Sequence, residues 1–477
     1  MVTTQVSGSS PFREPGIAAA GGAKRCAVAA PWRGRRPAAE PVLTHVGTRA
    51  KARVRRQIAA IAAVAGLIVP LAAALPATAA AAGPGTGQAD TVTQWNQALI
   101  AGLEAAGIPP PPSARVGAIV QASVFDAVNG IDRRYAFYHV PPAAPRGSSR
   151  DAAAAGAAYT ALVALIPAQK LLFDAQLAAT LAQISDDPAA PGQSVKRGLA
   201  WGQAVAEDIL AWRATDGYTT PPPPYTVTPG AGSWQPTPPA YLGPPAAPLF
   251  RQFANMAPFA LSSAAQFRPP GPPPLTSPLY AKDLAEVQAY GSATSAVRTP
   301  EQTQTALFWQ DDTPAAMWNR VADQLAQARG LPLAANARLL AQVNIALADA
   351  TIAVWNAKNY YNFWRPVTAI RATADLAWTP LLPTPAFQEY PSAHSGVSSA
   401  AATVLASFYG DNTAFSVTSA GLPGVQRDFT TFSAAVQQVE DARIYAGFHF
   451  RFSCTDAATL GAQVANYITT TLMQPLR

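Results

Sequence analysis

The segment ANARLLAQVNIALADATIAVWNAKNYYNFW (residues 335–364) is rich in Ala, Leu, Val and Ile, which recur at intervals of three and four. This spacing predicts one long and largely buried helix. The segment contains Lys358 and is followed directly by Arg365 and Pro366. Residues seven apart on a helix are separated by about two turns, so we expect both cations to project from one face. Pro366 should mark the end of the helix or a bend in it.

Similar periodicity recurs along most of the chain, while alternating strand patterns are scarce. Several of these segments begin after Ser, Asp or Pro, as helix N-termini prefer. A chain of 477 residues with 49% hydrophobic residues supplies a large core. We therefore predict an all-α fold of paired helical bundles. The segments expected to be helical are 94–107, 113–131, 151–166, 169–184, 194–214, 335–364, 397–409 and 456–472.

A proline-rich stretch, residues 221–278, separates the helical segments and holds eighteen of the 46 prolines. One interpretation is a linker between domains, and the other is an ordered loop that wraps the bundle. A solvated linker would rarely carry so many aromatic residues, so the loop is favoured. The chain then divides into an N-terminal helical part with this loop (83–290) and a C-terminal helical bundle (291–477). The aromatic residues are Trp234, Tyr241, Phe250, Phe253, Phe259 and Phe267.

The N-terminal residues have the pattern of an export signal. KARVRR (51–56) is a basic segment, IAAIAAVAGLIVPLAAAL (58–75) is apolar, and small residues follow. We expect residues 54–82 to be a cleaved signal peptide, and residues 1–53 to be a spurious or disordered extension. The protein is then secreted, and the mature chain has no membrane span, since no other apolar run approaches the required ~20 residues.

Charge and cysteine content exclude several classes of function. The formal charge of +7 comes from residues 1–82, which hold eleven Lys and Arg against two Glu, so the remainder is slightly acidic. No basic surface for nucleic acid is expected. Cys26 lies in the leader and Cys454 is alone in the mature chain, which excludes an internal disulfide or a zinc–cysteine cluster.

Histidine is rare, and two of the four histidines fall in clusters of anion-binding residue types. YPSAHSG (390–396) precedes a helical run. Ser392 is in position to cap this helix, and the free N–H groups of Ala393 and His394 would point out of its first turn. Such a helix N-terminus is a ready anion site, and His394 could donate a proton to an oxyanion held there.

ARIYAGFHFRF (442–452) forms the other cluster. Arg443 and His449 are six apart, which puts them off a common helical face, so we expect a bend at Gly447. Each feature has a simpler explanation, such as a solvated Lys–Arg pair, a core histidine or an ordinary serine cap. The combination of three cations, a helix N-terminus and two histidines favours a functional site for one tetrahedral oxyanion.

These three segments resemble the signature of the type-2 phosphatidic acid phosphatase superfamily, K-x6-R-P, P-S-G-H and S-R-x5-H. The superfamily includes bacterial acid phosphatases and the vanadium-dependent haloperoxidases. The resemblance to the bacterial, secreted, haloperoxidase-like branch extends to ARVGAIVQASVFDAVNGI (114–131), RTPEQTQTALFW (298–309) and HFRFSCTDAATLG (449–461). It covers roughly residues 90–472.

The resemblance implies a role for each matching residue. Lys358, Arg365 and Arg443 would hold oxygens of vanadate or a phosphoryl group, with further hydrogen bonds from Ser392 and the N–H of Ala393. His394 would be the acid–base group. His449 would be the axial ligand to vanadium, or the nucleophile of a phosphatase. Vanadate mimics the geometry of phosphoryl transfer, so one site can serve both chemistries.

The sequence departs from the family pattern at three positions. Ala393 replaces the usual Gly, and Ala442 replaces the usual Ser before the arginine. The family often has an acidic residue four positions after the last histidine to orient it, and here that position is Ser453. Asp456 is a candidate substitute, as is an acid from elsewhere in the chain.

We interpret the sequence as a vanadium-dependent haloperoxidase-like enzyme that oxidises halide with hydrogen peroxide, with vanadate as its cofactor. The alternative is a secreted acid phosphatase that hydrolyses phosphomonoesters through a phosphohistidine and needs no cofactor. A non-catalytic member of the family is the third hypothesis.

Overall fold

Helices form most of the computed structural model, which describes residues 89–186, 192–226, 230–238, 247–310 and 312–476. The leader lies outside these residues, so its prediction stays a prediction. The described residues belong to one unit of residues 80–477. Their elements are α1 (Thr91–Ala105), α2 (Pro110–Asp132), α3 (Arg150–Leu165), α4 (Lys170–Gln183), α5 (Gln193–Arg213), α6 (Pro278–Tyr290), α7 (Pro300–Phe308), α8 (Pro314–Ala328), α9 (Leu333–Tyr361), α10 (Pro366–Thr373), α11 (Ala393–Tyr409), β1 (Phe415–Thr418), β2 (Gln426–Phe429), α12 (Phe432–Tyr445) and α13 (Arg451–Thr471).

The all-α prediction is confirmed, and each of the eight segments expected to be helical is a helix. Within the described residues the strands form one antiparallel pair, in which Phe415 lies opposite Phe429. Helices α6, α7, α8, α10 and α12 were not predicted, and the first three of them begin in the same way. Each of these three begins with a proline behind a Ser or Thr whose hydroxyl accepts from a first-turn N–H, at Ser277, Thr299 and Thr313. A Ser or Thr followed by proline is itself a helix start signal, but apolar periodicity alone does not reveal it.

Helix α9 is the central element of the fold. It packs against α2, α11 and α13, and most of its residues are buried. Helices α11 and α13 approach each other through glycine, because a Cβ on Gly461 would lie 2.0 Å from the Gly396 carbonyl oxygen. This contact lies less than one turn from the start of α11 at Ala393, so it also fixes that helix N-terminus against the core.

The proline-rich stretch is an ordered loop in its described parts, as predicted. Trp234, Phe253 and Phe259 are buried, whereas Tyr241 lies outside the described residues. The Trp234 N–H donates to the Asn362 carbonyl at 2.8 Å. Asp349 of α9 accepts from the N–H groups of residues 259, 260 and 261 at 2.6 to 3.0 Å. The loop is thereby attached to the core helix and to the segment that follows it.

The chain between Lys358 and Arg365 differs from the prediction. Helix α9 ends at Tyr361, and Asn362 has the left-handed conformation with φ 47°. Arg365 is the N-cap residue of α10, with Pro366 in its first turn, so the two cations do not share one helix face. Pro366 predicts the helix end a few residues too late, because apolar and aromatic residues continue through Trp364. The chain breaks at Asn362 instead, since asparagine adopts the left-handed conformation at low cost.

Among the described residues, α9 is the one helix that is by itself long and apolar enough to cross a membrane. The bent pair of α3 with residues 167–183 passes the same test jointly. The apolar stretch of α9 is 94% buried inside the protein, as expected for a core helix.

Candidate active site

Lys358 and Arg365 are fully buried and carry positive charge into the protein interior. Lys358 Nζ donates to the carbonyl oxygens of Gln388 and Glu389, both at 2.8 Å. Arg365 donates to the carbonyls of Phe387 at 2.8 Å and Phe448 at 3.1 Å. Its Nη2 atom is buried and has no hydrogen-bond partner within the described residues. Leaving a buried donor without a hydrogen bond costs free energy, so Nη2 points to an acceptor that binds here.

Arg443 completes the cationic set from the last turn of α12 and is 1% exposed. Its Nη1 donates to the Trp309 carbonyl at 3.3 Å, and its Nη2 donates to Gln310 Oε1 at 2.7 Å. Helix α12 ends at Tyr445, and Gly447 follows with φ 84°. The bend predicted at this glycine is confirmed, and it lets Arg443 and His449 belong to one site.

Helix α11 begins at Ala393, directly behind Ser392. Ser392 occupies the N-cap position, but its hydroxyl accepts from no backbone N–H of the helix, so the predicted cap is not formed. The hydroxyl instead accepts from Ser395 Oγ at 3.0 Å and keeps its own proton available. The first N–H groups of α11 have no partner inside the helix and carry the positive end of its dipole.

His449 is held between an acceptor and a donor. Its Nδ1 lies 2.7 Å from Glu389 Oε1, and its Nε2 lies 3.2 Å from Arg365 Nη1. A guanidinium can only donate, so Nε2 must be the unprotonated nitrogen and Nδ1 must carry the proton. Burial, and then the charges of Arg365 and Lys358, lower the pKa of His449 well below its usual range. The ring is therefore neutral, with the Nε2 lone pair on the cationic side.

Glu389 is the acid that holds His449, and Asp456 is not. The Asp456 carboxylate accepts from the Tyr390 hydroxyl at 2.6 Å. Ser453, at the family's usual acid position, is buried next to Glu389. Glu389 was missed as an individual residue because its partner lies 60 positions away. The available signal was a carboxylate in the apolar stretch immediately before Tyr390.

His394 lies in the first turn of α11 and lines a cavity of about 70 Å³. Its Nε2 is buried without a hydrogen-bond partner among the described residues. Burial, and then the charges of Arg443, Lys358 and Arg365, lower its pKa well below the usual value. Apart from Thr351, the other lining residues are apolar and include Phe250, Pro314, Trp355, Phe387, Ala393 and Val397.

The electrostatics of the site favour an anion. Burial and then neighbouring Arg365 lower the pKa of Lys358, and burial lowers the pKa of Arg365 to about 9. Burial raises the pKa of Glu389 to about 7, against the opposing effect of the two cations. An oxyanion placed among Lys358, Arg365 and Arg443 would offset the first two shifts by supplying the negative charge they face.

The structure brings together the five charged and imidazole side chains named from the sequence. Arg365 contacts His449, Lys358 contacts the residue that holds His449, and the three cations act on both histidines. Within the described residues, no group of three or more His, Cys, Asp or Glu is arranged to hold a metal ion. The donors fit an oxyanion bound by hydrogen bonds, with one imidazole nitrogen facing it.

Comparison with known proteins places the C-terminal part in a family. Residues 338–477 match the family model described as VCPO second helical-bundle domain. No curated protein matches the chain.

Solved structures extend the similarity to most of the chain. The crystal structure of the first bacterial vanadium-dependent iodoperoxidase is 27% identical with a TM-score of 0.69, and the match covers 81% of this chain and 97% of that one. A holo-type bacterial vanadium-dependent chloroperoxidase is 17% identical with a TM-score of 0.61, and the match covers 76% of this chain and 92% of that one. The apo-type bacterial vanadium-dependent chloroperoxidase is 16% identical with a TM-score of 0.61, and the match covers 76% of this chain and 94% of that one. The two chloroperoxidases share the fold.

Proposed function

The chain belongs to the vanadium haloperoxidase superfamily, and we propose that it is a haloperoxidase that oxidises a halide with hydrogen peroxide at a bound vanadate. The observation that carries this proposal is the pair of fully buried cations, Lys358 and Arg365, beside a neutral His449. Both cations donate to carbonyl oxygens or to imidazole rather than to a carboxylate. Buried charges require a counter-charge, and an oxyanion supplies it.

The residues present fit vanadate. Lys358, Arg365 and Arg443 would donate to its oxygens, as would the Ser392 hydroxyl and the Ala393 N–H. The lone pair of His449 Nε2 is the one available to the metal. The orphan Arg365 Nη2 is a donor that such an oxyanion would satisfy. When bound, vanadate would supply an electrophilic centre that activates peroxide.

His394 is suited to proton transfer at this site. Its neutral imidazole carries a buried Nε2 that can take a proton from peroxide or return one to a departing oxygen. In the overall reaction hydrogen peroxide takes two electrons from the halide. One oxygen leaves in hypohalous acid and the other leaves as water, so the reaction takes up one proton beyond the two that peroxide carries. The apolar walls around His394 limit access of bulk water.

The size of the cavity supports small reactants. A volume of about 70 Å³ holds a few water-sized molecules, which suits peroxide and a halide ion. A phosphomonoester with a bulky alcohol would require the cavity to open. The similarity to a vanadium-dependent iodoperoxidase supports the haloperoxidase over the acid phosphatase, in which His449 Nε2 would attack phosphorus. We also propose that the enzyme acts outside the cell, after export through the signal at residues 54–82.

The purified protein with and without orthovanadate tests the proposal. We expect iodide-, bromide- or chloride-dependent peroxidation that requires vanadate and is lost in His449→Ala but kept in His139→Ala. Hydrolysis of p-nitrophenyl phosphate that vanadate inhibits would instead establish the phosphatase. If both activities are absent from protein that binds vanadate, the catalytic proposal is wrong.

A further inference from the structure

One residue links the three segments that build the site. The Glu389 N–H donates to the Phe363 carbonyl at 3.0 Å, between Lys358 and Arg365. Its carbonyl accepts from Lys358 at 2.8 Å. Its carboxylate holds His449 at 2.7 Å. Glu389 itself stands three positions before Ser392, on the segment that leads into α11.

We propose that Glu389 is a positioning residue that sets the tautomer of His449 and fixes its distance from Lys358. The inference rests on the proposed function, because it assigns His449 Nε2 to the bound oxyanion. Glu389 would not touch that oxyanion itself. It would act through His449 by side-chain contact and through Lys358 by its main chain.

The hydrogen-bond directions carry the tautomer argument. Arg365 donates to Nε2, so the neutral ring must donate from Nδ1, and Glu389 must accept. The same carboxylate oxygen also accepts the Phe450 N–H at 3.1 Å. This second bond fixes the oxygen relative to the peptide that follows His449. The ring therefore has one orientation, in which the Nε2 lone pair points away from Glu389.

Burial makes this arrangement rigid. Glu389 is fully buried and His449 is 3% exposed, so water does not compete for Nδ1. A carboxylate behind a ligating imidazole also raises its basicity, and removal of such a partner typically costs about 10–100-fold in metal affinity. Ser453 replaces the acid that the superfamily often has after the histidine, and Glu389 fills that role from the opposite segment.

Nitrogen NMR of protein labelled with ¹⁵N-histidine tests the proposal without vanadate. The chain has four histidines, so His449 can be assigned by its loss in His449→Ala. We expect the wild-type ring to carry its proton on Nδ1 alone. Glu389→Ala should give a mixture of tautomers, because the ring then loses its acceptor at Nδ1 and is free to turn away from Arg365. Glu389→Gln, whose amide oxygen still accepts, should retain the Nδ1–H form. Asp456→Asn is the matched control and should leave the His449 signals unchanged.

Vanadate titration then gives an independent readout. Glu389→Ala should weaken vanadate binding by about 10–100-fold, and Glu389→Gln by clearly less. A wild-type ring protonated on Nε2 would overturn the proposal, even if no alanine variant folds. So would a Glu389→Ala spectrum equal to that of the wild type, or a change that occurs only in Asp456→Asn. If the tautomers behave as expected but wild-type protein binds no vanadate, the positioning role stands and the proposed function fails.

Discussion

Arg365 Nη1 lies 3.2 Å from His449 Nε2, the nitrogen that we propose faces the bound oxyanion. The guanidinium thus contacts the histidine lone pair with one nitrogen while its Nη2 has no hydrogen-bond partner in the described part of the chain. Arg365 also donates to two carbonyls of different segments, which fixes its plane. A bound anion would stabilise Arg365, since one of its oxygens could accept a hydrogen bond from Arg365 Nη2 and lie next to His449 Nε2.

Replacement of Arg365 by Lys should weaken vanadate binding by about tenfold or more. The substitution keeps the charge but loses the fork of donors, and a charge-assisted hydrogen bond contributes about 1.5–3 kcal/mol. Isothermal titration with orthovanadate measures the loss. Arg371→Lys is the matched control, because Arg371 on α10 donates to the Trp378 carbonyl, outside the anion site. Equal affinities for the two variants would contradict the role given to Arg365.

Gln310→Glu should lower the affinity for vanadate at least tenfold. Arg443 Nη2 donates to Gln310 Oε1 at 2.7 Å, so a carboxylate there would neutralise a cation of the site. Opposite charges at about 4 Å near a protein surface interact by about 4 kcal/mol, which exceeds the free energy of about 1.4 kcal/mol that a tenfold loss of affinity requires. Gln304→Glu places the same new charge on the exposed part of α7 and should leave binding unchanged. Loss of affinity in both variants would indicate a general charge effect.

The long core helix and the bend at Gly447 could be predicted because both depend on local sequence. Apolar residues at helical intervals predict α9, and a glycine between Arg443 and His449 predicts the bend. The path from Lys358 to Arg365 could not be predicted. Both cations reach the site because the chain turns at Asn362, and the pairing of Trp234 with that residue helps to hold the turn. The partner of His449 could not be identified either, since its contact spans 60 residues.

His394 should titrate below its ordinary value of about 6.5 in protein without anion, and addition of orthovanadate should raise its midpoint. Burial and three cations favour the neutral ring, so its pKa is lowered in the folded protein. A bound oxyanion offsets those cations and favours the protonated ring. Proton NMR of the histidine ring signals across pH 5–9 measures both midpoints. The His139 ring, stacked on Trp212 at 4.2 Å, is the internal reference. A His394 midpoint unaffected by vanadate would place the anion elsewhere.

Asp349→Ala should lower the free energy of unfolding by about 1–3 kcal/mol at pH 7, because three backbone N–H groups of the proline-rich loop lose their acceptor. Burial raises the pKa of Asp349 to about 6, from an ordinary 3.8. The folded protein therefore binds an extra proton between these values, and the stabilising contribution of that proton is lost as the pH rises through about 6. The loss caused by Asp349→Ala should thus be greater at pH 5 than at pH 7. Urea unfolding at both pH values measures it.

Asp208→Ala is the control for this last variant. Asp208 pairs with His139, and its side chain is 59% exposed, so its removal should cost about 1 kcal/mol or less.

The loop anchored by Asp349 also contributes Phe250 to the wall of the cavity. Loosening that anchor should therefore raise the KM for halide more than it lowers vanadate affinity, since Lys358 and Arg365 donate to other segments. A fall in vanadate affinity as large as that of Arg365→Lys would mean that the loop shapes the anion site itself.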